Sequence, residues 1–205
     1  MASTPLERQL ASDSTPRRPT ALDAFALARA DFLAGERIDI GSIAQRLGVN
    51  RVTLYRWVGT REQLIIEVVW WLTERTLDHG WRTVESAPGP RVPALLGHLL
   101  HAIWDQPGSR RSIERDNAMY MTLLTVASHG FQPRMLAYVR AKLAADLDTG
   151  RIHTPLTLDD LSYTVLRVAE SFHYMPTIIG EPADPDRAVR VLTAILGNPS
   201  DSNHR

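Results

Sequence analysis

Apolar residues recur at steps of three and four along almost the whole sequence, and no segment alternates with the two-residue period of a half-buried strand. Phe25, Ala28 and Phe32 set the first such stripe, and Gly35 is placed to stop it. A short helix is predicted over residues 40–47, followed by Gly48-Val49-Asn50 and a second short helix from Arg51. A long helix follows over residues 60–81, with Leu64, Val68 and Leu72 at four-residue steps. Residues 87–93, with three prolines and a glycine, read as a turn. Leu95, Leu96, Leu99 and Ile103 then mark a helix ended by Pro107-Gly108, and Ile113, Tyr120, Met121 and Leu124 mark the next. Leu136, Val139, Leu143 and Leu147 form another, closed by Gly150. Leu158, Leu161, Val165, Val168, Phe172 and Met175 alternate by three and four, and Ala188, Val191, Leu192, Ile195 and Leu196 make a last helix stopped by Gly197. The pattern predicts an all-α chain of about nine helices.

Composition narrows what such a chain can do. At 205 residues and 44% hydrophobic content there is material for one sizeable core, or for a small head on a larger body. Basic and acidic residues balance at 23 each, so contact with a polyanion has to come from a local patch. The absence of cysteine excludes disulfides, thiolate zinc sites and cysteine nucleophiles. No apolar run is long enough to cross a bilayer, and no basic segment precedes an apolar one at the start, so a soluble cytoplasmic protein with no membrane partner is expected. Residues 1–19 are rich in Ser, Thr and Pro and are predicted to be a disordered leader, as Pro16 and Pro19 prevent a continuous helix. Arg17 and Arg18 at its end are either a cationic arm or part of a solvated tail.

The informative stretch is residues 40–64, IGSIAQRLGVNRVTLYRWVGTREQL. Gly48 can take the left-handed conformation that ends one helix, and Asn50 is suited to cap the next. Ile43, Ala44, Leu47, Val49, Leu54 and Val58 supply the apolar contact between the pair. Arg51, Thr53, Tyr55, Arg56 and Trp57 are left facing outward, with donors for phosphates and base edges and aromatic surface for sugars and thymine methyls. Residues 40–61 hold four arginines and no acid, a local cationic patch on a neutral chain. Two helices and a tight turn are also common in proteins that never touch DNA.

The residues themselves carry more than the geometry. Ile43-Ala44, Gly48-Val49, Thr53-Leu54-Tyr55 and Thr60-Arg61-Glu62-Gln63-Leu64 resemble, almost position for position, the DNA-binding signature of the TetR family of transcriptional regulators. The resemblance implies that Arg51 and Thr53 approach bases or nearby phosphates, and that Tyr55 packs on the DNA backbone. It also implies that Arg56 and Trp57 occupy the outward positions that follow, and that Arg61 grips a phosphate at a helix N-terminus. Trp57, Val58 and Arg61 depart from the family's usual smaller aromatic or His, Phe and Lys. The organisation implied is a leader over residues 1–19, a three-helix DNA-binding head over 20–59 and a connecting helix over 60–82. A ligand-binding and dimerisation domain over 83–198 and a disordered tail over 199–205 complete it.

Beyond the head the resemblance is looser, and it implies an effector cavity with a homodimer interface on the last two long helices. The three-four seam of Leu161, Val165, Val168 and Phe172, joined by Val191 and Ile195 of the last helix, suits such an interface, with a helix buried in its own chain as the alternative. A cavity needs polar groups set into apolar stripes, which points to Trp104, Asn117, Tyr120, Met121, Leu124, Tyr138, Glu170 and Tyr174. Ala169-Glu170-Ser171-Phe172 and Gly180-Glu181-Pro182 look similar to a TetR branch associated with lactone-degrading genes, which implies a lactone or acylated effector. The function so implied is a bacterial dimeric repressor that leaves a palindromic double-stranded operator when a small molecule binds.

A helical enzyme or metal-binding protein is the alternative. His98, His101 and Asp105 could share one side of a helix, but the HExxH pattern is absent and no phosphate loop or nucleophile elbow is present. No metal, no cofactor and no catalytic residue is expected.

Overall fold

The computed structural model describes residues 18–197, so most of the expected leader, including Arg17, and all of the tail lie outside the described residues. Eleven α-helices and one short 3-10 turn are present among them, and no strand. The head is α1 (Ala21–Leu33), α2 (Ile40–Arg46) and α3 (Arg51–Val58). Each starts at a side-chain cap: Thr20 in a capping box with Asp23, Asp39 accepting from Ser42 N, and Asn50 accepting from Val52 N. Gly48 turns the chain between α2 and α3 at φ 65°, where its lack of a Cβ removes the steric penalty. Ala24, Ala28, Phe32, Ile43 and Leu54 fill the space between the three helices.

α4 (Arg61–Thr83) begins at a second capping box, Thr60 with Gln63, and its 23 residues span about 35 Å. Its buried residues run from Leu64 to Gly80, so one helix serves the head at one end and the body at the other. Trp71 fastens it to α1: the Arg29 guanidinium lies 4.4 Å and that of Arg75 4.1 Å from the indole centroid.

The body comprises α5 (Val92–Asp105), α6 (Pro107–Arg115), α7 (Asn117–Thr125), α8 (Phe131–Asp148), α9 (Leu158–His173), α10 (Met175–Ile178) and α11 (Pro185–Leu196). α5 packs between α4 and α11, and α9 between α8 and α11. Arg91, at the N-cap of α5, supplies no side-chain cap. Asp146 of α8, fully buried, does so instead: it accepts from Arg91 N at 2.8 Å and Val92 N at 3.3 Å, and pairs with Arg91 Nε at 2.6 Å.

Two expected helices are divided. The stripe Ile113, Tyr120, Met121, Leu124 spans α6 and α7, which meet at Asp116 with φ −121° and ψ 37°. The seven-residue step from Ile113 to Tyr120 keeps its phase across a one-residue break, so periodicity does not register it. The run ending in Met175 stops at His173, and Met175-Pro176 opens α10. Pro107 both follows the end of α5 and starts α6, where its missing N–H costs nothing.

Candidate nucleic-acid interface and internal cavity

Leu54, with no exposed surface, anchors α3, and the opposite arc of the helix carries Arg51, Val52, Tyr55 and Arg56 in solvent. Thr53 is half-buried, and Trp57 is drawn partly against the core of the head rather than standing free. The Arg51 guanidinium lies across Gly41, where a Cβ would overlap it. Arg46 is bound to both carboxylate oxygens of Asp31 at 2.7 Å. Arg61 turns inward: its Nε donates to Ile38 O at 2.7 Å and its Nη1 to Met119 Sδ at 3.4 Å, which ties the end of the head to α7. Two of the four arginines of the patch are thus held by the chain itself, leaving Arg51 and Arg56 as its outward cations. Val52 shares their arc and was not among the residues expected to contact DNA.

Inside the body lies a mostly apolar cavity of about 190 Å³, walled by six helices from α4 to α9 and by the end of α1. Of the expected ligand residues, Leu124, Glu170 and Tyr174 lie on its wall. The other five are elsewhere. Trp104 stands behind the wall and donates from Nε1 to His173 Nδ1 at 3.2 Å. Tyr120 is buried beside Phe32, ring centroids 6.2 Å apart, and its phenol is pushed up to about 12 by that burial. Met121 is half-buried off the wall, Asn117 accepts from Thr177 Oγ1 at 2.6 Å on the surface, and Tyr138 donates to Asp78 at 2.8 Å. The polar wall residues that sequence reasoning missed are Thr73, Thr76, Gln106, Ser109 and His173. Thr73 and Thr76 interrupt the apolar face of α4, a signal of the same kind that pointed to Asn117.

The charges at the wall are constrained. Burial raises the Glu170 carboxyl to about 7, against the opposing pull of Arg167, with which it forms an ion pair. Burial pushes His173 down to about 4, so its ring is neutral; because Nδ1 accepts from Trp104, the proton sits on Nε2. Burial also raises the Tyr174 phenol. The lining contains no Lys or Arg.

Cavity and head share a joint. Phe32 and Leu33 of α1, the α6 N-cap Gln106, and Ser109 and Ile113 of α6 all line the cavity. The carbonyls at and just beyond the end of α1 continue no helical ladder, and this segment of the body donates to them. Gln106 donates to Leu33 O at 3.0 Å, Arg111 to Ala34 O at 3.3 Å, Ser112 to Phe32 O at 3.4 Å and Arg115 to Gly35 O at 2.8 Å. Gly108 allows this closeness, since a Cβ there would overlap the Leu33 carbonyl.

The expected dimer residues divide. Leu161 and Val165 are 1% and 0% exposed within the single chain, because that side of α9 faces the chain's own core. Val168, Phe172 and Val191 are half-buried and Ile195 is 44% exposed, so these four retain free surface; Tyr163, 59% exposed, joins them on the outer side of α9. His101 lies 3.0 Å from Asp186, and the His98 ring meets His79 at a tilt of 46°, centroids 5.7 Å apart. No group of three metal-ligating side chains is assembled among the described residues.

The tetracyclin repressor-like C-terminal domain model matches residues 89–197, more than half of the chain. The chain belongs to the TetR family. Among solved structures it is similar to the transcriptional repressor QsdR of R. erythropolis, 27% identical with a TM-score of 0.74, over 87% of this chain and 96% of that one. A transcriptional regulator from Rhodococcus sp. RHA1 shares the fold at 18% identity and a TM-score of 0.63, over 91% and 99% of the two chains. A TetR-family regulator from Rhodococcus sp. does so at 15% identity and 0.53, over 84% and 95%. No curated protein matches the sequence. QsdR is a transcriptional repressor of the TetR family, and the chain shares the all-helical fold of these structures. None of its described helices is long and apolar enough to cross a membrane.

Proposed function

We propose that this TetR-family chain is a homodimeric repressor whose α3 enters the major groove of a palindromic operator, and whose internal cavity admits a small effector that ends DNA binding. The joint between α1 and α6 carries this reading. The residues that cap the head's first helix belong to the segment that walls the cavity, so an occupant pressing on Gln106, Ser109 or Leu33 alters the contacts that aim the head. An effector that favours a body shape with wrongly spaced heads weakens DNA binding, and DNA weakens effector binding by the same factor. Similarity to a repressor supports repression as the sign of control.

In this reading Arg51, Tyr55 and Arg56 meet the DNA directly, with Thr53 and Trp57 at the edge of the contact. Arg61 orients the head from within rather than gripping a phosphate. Val168, Phe172, Val191 and Ile195, with Tyr163, form the two-fold interface. The head takes up residues 20–59, α4 connects it to the body, and the body is the effector and dimer domain.

The cavity suits a neutral, largely apolar effector. Its wall includes the neutral His173 and the hydroxyl-bearing Thr73, Ser109 and Tyr174 as donors for a carbonyl, and the lining has no Lys or Arg to balance a carboxylate. A lactone or an acylated compound answers that description.

Selection of duplexes from a random pool by the purified protein tests the function. The expected result is a palindrome whose half-site centres lie about 34–36 Å apart, or a multiple of that spacing. Adding medium-chain lactones or methyl esters to the selected complex is expected to release the DNA, and the matching free carboxylic acids to be weaker. No enriched sequence at low or moderate salt removes the reading.

A further inference from the structure

Val52 and Leu22 are each 74% exposed, more than any other large apolar side chain described. Leu22 sits on α1 and not on α3, and a lone surface leucine calls for no explanation. Val52 stands inside that arc. Successive helical residues are turned by about 100°, which sets Val52 between Arg51 and Tyr55 on one side and Arg56 on the other, with buried Leu54 nearly opposite. Its backbone N–H donates to Asn50 Oδ1 at 2.8 Å, so the first turn of α3 is pinned at this residue. A β-branched side chain in a helix is largely confined to one rotamer. Val52 is thus a stiff apolar stub on a fixed turn, flanked by cations, with no acid within residues 40–61.

Such a stub can form no hydrogen bond to a phosphate, a sugar or a polar base edge. In the major groove the apolar group presented by a base is the C5-methyl of thymine. We propose that Val52 reads a thymine in each operator half-site, its isopropyl group packing on that methyl. This rests on operator binding through α3 and adds a specificity determinant to it. Arg51 and Arg56 supply affinity through phosphates and base edges, while Val52 penalises any base that lacks the methyl or puts a polar group in its place.

Deoxyuridine differs from thymidine by that methyl alone, which makes the proposal directly measurable. Starting from the selected operator, each symmetric pair of thymines is replaced by deoxyuridine, and affinities are measured for the wild-type protein and for Val52→Ala. One pair is expected to weaken wild-type binding by about fifteenfold, about fourfold per half-site from some 0.8 kcal/mol for each buried methyl. At that same pair Val52→Ala is expected to lose less than half as much, and at every other pair the two proteins are expected to respond alike. Unchanged helical circular dichroism and melting of Val52→Ala confirm that the comparison is between folded heads. If every pair costs the two proteins equally, or no pair affects the wild type, the role of Val52 is overturned while operator binding stands. Failure to select any operator strikes the reading of α3 itself and takes this one with it.

Discussion

On α3 a single side chain, Leu54, is fully buried, and Arg51, Val52, Tyr55 and Arg56 stand in solvent. α9 gives a whole face to the interior: Leu161, Val165, Leu166 and Ala169 are buried, and the acid Glu170 is drawn in with them. A surface built on one anchor separates binding from stability, because its outward residues contribute little to the fold. A cavity wall cannot do so to the same degree, since most residues that line it, such as Leu96, Leu166 and Ala169, are also residues of the core. Substitutions on the first should therefore leave the protein folded, and substitutions in the body should show in its stability before they show in its function.

The largest effect is expected at Asp146, deep in the body. Asp146→Ala leaves Arg91 and the start of α5 without their partner, and equilibrium denaturation should register a loss of about 3–5 kcal/mol. A loss below 1 kcal/mol would show that water replaces the carboxylate and that the body is less closed than described. On the opposite side of the comparison, Tyr55→Ala should cost about 1–3 kcal/mol of operator affinity. Its unfolding free energy should stay within about 0.5 kcal/mol of wild type, as for surface positions generally. Undiminished binding by that variant would remove α3 from the DNA interface.

The smallest of these effects is a slope. Glu170 ionises near 4.5 in the unfolded chain and near 7 in the fold, so the fold holds its proton more tightly and loses stability as pH rises between those values. His173, lowered from 6.5 to about 4, has the opposite sign: the fold loses stability as pH falls through that range. Glu170→Gln removes only the first contribution. The stability of the variant minus that of the wild type should rise with pH from about 4.5 to about 7 and level off above, measured by urea denaturation at a series of pH values. Parallel curves would mean that Glu170 is solvated, and the cavity wall more open than its packing suggests.

How much of this was legible in the sequence follows the same division. The head is specified by local rules, and Gly48 and Asn50 announce its central turn by residue type. Its motif is short and contiguous, so the resemblance could be read residue by residue. The cavity is assembled from segments between Phe32 and Tyr174, and periodicity tells only that a residue points inward. It does not tell whether the inward space is filled: Tyr120 and Leu124 share a stripe of α7, yet Leu124 borders the cavity and Tyr120 packs under Phe32. Leu161 and Val165, expected at an interface, lie in the chain's own core for a related reason, because a three-four seam reads the same against a partner or against the chain's own core. The inward turn of Arg61 was hidden as well, since its acceptor, the Ile38 carbonyl, is a backbone group that no motif encodes.

The coupling between cavity and recognition face can be tested without knowing the effector. Ala169, 4% exposed, lines the cavity from α9 beside Glu170, so Ala169→Phe places a ring in the space an effector would occupy. Overpacking of this kind costs about 1–3 kcal/mol, and operator affinity is measured under conditions where melting shows the variant fully folded. If occupancy of the cavity repositions the head through α6 and the end of α1, the variant should bind the operator at least about fivefold more weakly than wild type, the lower end of typical allosteric coupling. A folded Ala169→Phe protein with undiminished operator affinity would contradict the coupling.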